Sequence, residues 1–133
     1  MRDIKFRAWD VESNEMTLPN DILEVLVSMK NEVYAMVKGR NETLGGINRD
    51  NTILMQYTGL KDRNGTEIYE GDVVEYYDSS IKSDVISPVS WRAPMFVVDS
   101  GLLYFKSKEA NKVFDGRVIG NIFENRELLE ESE

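Results

Sequence analysis

Residues 57–77 read YTGLKDRNGTEIYEGDVVEYY, and this stretch constrains the fold more than any other. Short β-prone runs are cut by Gly59, by Asn64-Gly65 and by Gly71-Asp72, too closely spaced for a helix to form between them. Asn-Gly between apolar runs is the strongest short hairpin signal, because both residues tolerate the positive φ that a tight turn needs. The expectation is a hairpin turned by Asn64-Gly65, with Asp62 accepting local backbone hydrogen bonds. Gly71-Asp72 then opens a strand whose apolar run begins at Val73 and Val74, with Asp72 accepting hydrogen bonds from turn N–H groups.

The same residues invite two chemical readings. Asp62 to Glu67 place oxygen side chains at alternate positions around Gly65, which faintly resembles a calcium loop. An EF-hand needs a 12-residue loop with Gly sixth, a bidentate Glu twelfth and flanking helices, whereas here Gly is fourth and strands flank it. Gly59, Gly65 and Gly71 fall six apart, which fits neither a dinucleotide fingerprint nor a P-loop. Glu67, Glu70, Asp72 and Glu75 lie close enough for acid–base work, and Asp62, Glu67 or Asp72 offers oxygens to Mg²⁺. At this density of carboxylates, solvated surface is the simpler reading, and turn chemistry explains the segment better than a site does.

Alternation marks strands at Ile4 to Trp9 and at residues 32–38, Glu15 to Leu18 is expected to pair back as a short strand, and residues 52–57 read as a buried-type strand. Residues 20–30, NDILEVLVSMK, fit a helical stripe capped by Asn20 or Asp21, yet Val25-Leu26-Val27 suits a strand; a short helix or irregular segment is the preferred reading. Beyond residue 70, strands are expected at 73–77, at 85–91 with Pro88 implying an edge or bulge, at 95–98, at 102–105 and at 117–123. Asp99-Ser100-Gly101 reads as a three-residue hairpin loop with Gly101 left-handed, and residues 108–111 as one helical turn. Five short strands with tight turns favour a small barrel or sandwich over a βαβ sheet. The expected fold is mainly β with minor α: a β-rich region over 1–69, a small β-barrel over 70–123, and an acidic helix or tail over 124–133 in which Leu128 and Leu129 dock.

Composition narrows function. The 133 residues hold no Cys and no His, so disulfides, thiolate zinc sites and imidazole bases are unavailable. No catalytic motif or cofactor site emerges. No apolar run approaches the roughly 20 residues of a membrane span, and the N-terminus has no signal-peptide core, so the reading is cytoplasmic and without membrane contact. Of the net charge of −8, half comes from the last ten residues, where five Glu face Arg126 alone. With a nearly neutral body and no basic cluster, nucleic-acid binding is disfavoured. Aromatic side chains in strands are mostly core; if a binding surface exists, Tyr69, Tyr76, Tyr77, Trp91 and Tyr104 are the candidates.

Three blocks, MRDIKFRAWD, LMQYTGLKDRNGTEIYEGDVVEY and VIGNIFENRELLE, together resemble the YopX family of phage and prophage proteins. Arg126 stands where that family usually has Pro after Glu-Asn, leaving the start of the last helix less sharply defined. The resemblance implies an SH3-like barrel in the C-terminal part, phage or prophage origin and a capacity to oligomerise; it carries no catalytic residues. The expected function is therefore a non-catalytic accessory module that binds a host or phage protein. A nucleic-acid-binding barrel is the first alternative and a carboxylate/Mg²⁺ enzyme the second.

Overall fold

A computed structural model describes residues 4–19, 22–27, 33–37, 52–92, 95–98, 101–102, 107–108 and 113–130. The chain forms two compact units that part between Gln56 and Tyr57.

In the N-terminal unit, β1 (Phe6–Asp10) pairs antiparallel with β2 (Glu15–Thr17). Their turn is held by Asp10, whose Oδ1 accepts from Glu12 N at 2.9 Å, while Asn14 adopts φ 57°. A second hairpin joins β3 (Ile22–Val27) to β4 (Val33–Val37), with Val25 opposite Ala35 and Leu26 opposite Tyr34. Over Ile22–Val27 the short helix or irregular segment preferred for 20–30 is thus replaced by a strand. β-branched residues at 22, 25 and 27 fit a pleated surface, and pairing with β4 overrides the helical stripe. The first half of β5 (Thr52–Lys61) pairs with β1, Ala8 facing Leu54.

The C-terminal unit begins with the second half of β5, which continues past Tyr57 to Lys61 and pairs with β6 (Glu67–Tyr69). β7 (Asp72–Asp78) is the centre of a three-stranded sheet, between β8 (Ser83–Pro88) and β14 (Gly116–Asn121). β9 (Ser90–Arg92), β10 (Met95–Val98) and β11 (Gly101–Leu102) form another sheet. β12 (Ser107–Lys108) pairs with β13 (Val113–Phe114), which meets β5 at Lys61. Ser107–Lys108 are strand where a helical turn was expected to begin, and 109–112 lie outside the described residues. The helix α1 (Glu127–Glu130) lies beside β8, with Leu128 and Leu129 half-buried.

Leu60, Ile68, Val74, Tyr76, Val89, Phe96, Val98 and Phe114 make one core. Leu60 and Ile68 belong to it, which is why the unit begins at 57 and not at 70. The fold is mainly β with several sheets and one short helix, and no closed barrel is found among the described residues. The ladder between β7 and β8 ends at Val89. Its N–H donates to Asp72 O at 2.8 Å and its carbonyl accepts from Gly71 N at 2.9 Å, so two residues face one and the ladder to β7 ends in a bulge. The chain then leaves β7, and β9 pairs with β10 instead. Pro88, which has no N–H to donate, sits at this exit. Gly101 pairs with Val98 as the first residue of β11, so it is strand and not the third loop residue that the sequence suggested. Among the described residues no helix is long and apolar enough to cross a membrane.

Candidate functional site

The Asn64-Gly65 turn is built differently from the mirror-image turn its sequence suggests. Gly65 N donates to Asp62 O at 3.0 Å and Asp62 N to Thr66 O at 2.8 Å. Gly65 has φ 85°, but Asn64 is not among the non-glycine residues at positive φ. Only one left-handed residue is needed, so the loop is a β-turn closed by a glycine bulge. Asp62 organises it: Oδ1 accepts from Asn64 N at 2.8 Å and from Thr66 N at 2.9 Å. Oδ2 accepts from Val118 N, in β14, at 2.9 Å. The neighbouring Arg63 N donates to Gly116 O at 3.2 Å.

These last two bonds have a specific role. Gly116 and Val118 pair with Tyr76 and Val74 across the β14–β7 ladder, and their polar backbone atoms point away from β7. An exposed strand edge is a liability; here the turn occupies two of its backbone groups. Asp62 is 2% exposed, and its carboxylate serves three backbone N–H groups, which leaves little of it for a metal ion. Among the described residues no group of three or more acidic side chains is placed to hold a metal.

Asp72 serves a parallel purpose. Its Oδ2 accepts from Tyr69 N at 2.7 Å, closing the turn that contains Gly71 at φ 87°. Gly71 O accepts from Ile122 N at 2.9 Å. Of the other carboxylates considered for chemistry, Glu75 is ion-paired with Arg117 at 2.8 Å across the strands, and Glu67 and Glu70 are half-buried on either side of the Ile68-Tyr69 pair.

One buried polar device was missed in the sequence. β5 carries a bulge between Tyr57 and Lys61, where Gly59 has φ 88°. The Thr58 hydroxyl donates to Ile68 O at 2.7 Å and accepts from Leu60 N at 3.2 Å, replacing ladder bonds that the bulge interrupts. A Thr-Gly step inside an apolar run was the available signal.

The five aromatic candidates separate by burial. Tyr69 is 5% and Tyr76 1% exposed, so both are core. Tyr69 packs on Tyr57 with ring centroids 5.4 Å apart, and Tyr76 meets Phe114 edge-on at 5.7 Å. Tyr104 lies outside the described residues. Tyr77 is 59% and Trp91 47% exposed. Trp91 stands edge-on to the buried Phe96 at 4.9 Å, so one side of the indole is used in packing. Tyr77 and Trp91 are not ladder neighbours, since Tyr77 pairs with Asp84 and Trp91 with Phe96.

The exposed end of the β7–β8 hairpin is the better-defined surface. Tyr77 and Ile81, the latter 62% exposed, flank a loop ordered from within. The Asp78 carboxylate accepts from Ser80 N at 2.9 Å and from the Ser80 hydroxyl at 2.6 Å, and Lys82 adopts φ 53°. Asp-x-Ser is a signature of such a turn.

Residues 5–130 match the family model described as YopX protein. Protein EF1440 from Enterococcus faecalis is similar in structure: TM-score 0.64, 27% identity, covering 97% of this chain and 99% of that one. Protein yopX from Bacillus subtilis gives a TM-score of 0.63 at 21% identity, with 97% of each chain covered, a likeness of fold. No curated protein matches.

Proposed function

The chain belongs to the YopX family, and on that premise we propose a phage or prophage accessory protein that acts in the bacterial cytoplasm without catalysis, by binding another protein. The contact is made by the end of the β7–β8 hairpin. The observation that carries this reading is the pairing of two large exposed apolar side chains, Tyr77 and Ile81, with a loop already ordered by Asp78 and Ser80. Aromatic side chains are enriched at interface centres, and a preordered loop loses less conformational entropy on binding. The bend at Val89, which passes the chain from one three-stranded sheet to the next, is the kind of corner an SH3-like unit uses, and that architecture is part of the proposal. The binding partner is a host or phage protein, or a second copy of this chain.

The test is capture from host lysate and from phage-infected lysate on immobilised wild-type protein and on a Tyr77→Ser/Ile81→Ser variant. The reading expects a specific protein retained by the wild type and lost from the variant, with both proteins melting alike. Equal retention by the two, or none by the wild type, contradicts it.

A further inference from the structure

Asn64-Gly65 is the only Asn-Gly step in the chain, and the turn uses its backbone without using the Asn64 side chain. Both residues are exposed, and open space surrounds the position a Gly65 Cβ would occupy. We propose that Asn64 is a deamidation site whose reaction is gated by opening of the β5–β6 hairpin. In the reaction the Gly65 backbone nitrogen attacks Asn64 Cγ. The N–Cγ bond forms, the Cγ–Nδ2 bond breaks, and ammonia leaves with the proton given up by the Gly65 amide. Water then opens the five-membered imide at either carbonyl, giving Asp or a β-linked isoaspartate. No oxidant or reductant takes part.

Glycine favours this step because no side chain hinders the attacking nitrogen. The fold opposes it at both ends of the nascent ring. Gly65 N–H is donated to Asp62 O at 3.0 Å, and Asn64 N–H to Asp62 Oδ1 at 2.8 Å. The nitrogen must leave its acceptor and the backbone must rotate before Cγ comes within reach, so the reactive species is the opened turn. Once formed, an isoaspartate adds a methylene to the main chain between Asn64 N and Thr66 N. A single Asp62 oxygen holds both of those groups, and the longer path breaks that match. The loosened Asp62 then holds Val118 and the β14 edge less well.

The experiment incubates the full chain at mildly alkaline pH, folded and in urea, and follows the tryptic peptide 64–82, separating Asn, Asp and isoaspartate forms by chromatography with mass detection. Conversion in urea is expected to be at least about tenfold faster than in the folded chain, the factor set by an opening free energy of about 1.4 kcal/mol. Gly65→Ala is expected to slow the reaction in urea, where folding plays no part. Aged protein rich in isoaspartate is expected to melt several degrees below fresh protein. Equal rates in buffer and urea would overturn the gating, and faster loss at any other Asn would overturn the site.

Discussion

Asp62 and Val118 lie 56 residues apart, and the Asp62 carboxylate accepts the Val118 backbone N–H at 2.9 Å. The same carboxylate holds the turn between β5 and β6, so one side chain both shapes a hairpin and fastens one point of a strand edge. Asp62→Ala leaves three backbone N–H groups without this acceptor. We expect a loss of about 2–4 kcal/mol in urea unfolding. Asp62→Asn should lose less, since its carbonyl oxygen can still serve the turn while its NH₂ faces Val118 N–H.

Two glycine substitutions should separate backbone strain from crowding. At Gly116 an added Cβ would stand 2.5 Å from Glu75 O, 2.5 Å from Phe114 Cε2 and 2.9 Å from Tyr76 Cβ. Gly116→Ala should cost about 3 kcal/mol, as overpacking of a core edge does. At Gly65 the space is open and only the φ of 85° resists, so Gly65→Ala should cost about 1 kcal/mol. Thermal melts of the two variants check the order.

Thr58 is fully buried, and its hydroxyl is the bond that repairs the β5 bulge. Thr58→Val keeps the shape and strands Leu60 N–H and Ile68 C=O, for an expected loss of about 1–3 kcal/mol. Thr58→Ser, which keeps the hydroxyl, should recover most of it. Chemical denaturation of the pair distinguishes hydrogen bonding from packing.

Aromatic substitutions should divide by burial. Tyr76→Ala, which empties the core beside Phe114, is expected to cost about 3–5 kcal/mol, while Tyr77→Ser should stay within about 0.5 kcal/mol of wild type. A double-mutant cycle on Glu75 and Arg117, whose side chains are 29% and 51% exposed, should give a coupling below about 1 kcal/mol. Any loss of binding in a Tyr76 variant would then report unfolding.

Much of the strand framework was legible because it rests on local pattern. Most of the period-two alternation at Ile4 to Trp9 became a strand, from Phe6 onward, and the apolar run after Gly71-Asp72 became another. The chain failed to reveal itself where pairing partners decide. Ile22–Val27 is strand only because Val33–Val37 lies beside it. Gly101 is strand only because Val98 faces it. The turn at Asn64-Gly65 was legible as a turn, but its reach to Val118 was not, since nothing local in DRNG specifies a partner 56 residues away. Burial of Tyr69 and Tyr76 against exposure of Tyr77 was likewise hidden. Adjacent residues on β7 point to opposite faces, and only the packed core tells which face is inside.

Amide hydrogen exchange at Val118, compared between wild type and Asp62→Asn, discriminates most directly between a carboxylate that fastens the backbone and one kept for chemistry. The structure predicts a protected Val118 amide in the wild type. In the variant, exchange should accelerate at Val118 while the Arg117 amide, on the neighbouring pair with Glu75, keeps its protection. Unchanged exchange at Val118 in a folded Asp62→Asn protein would contradict the account.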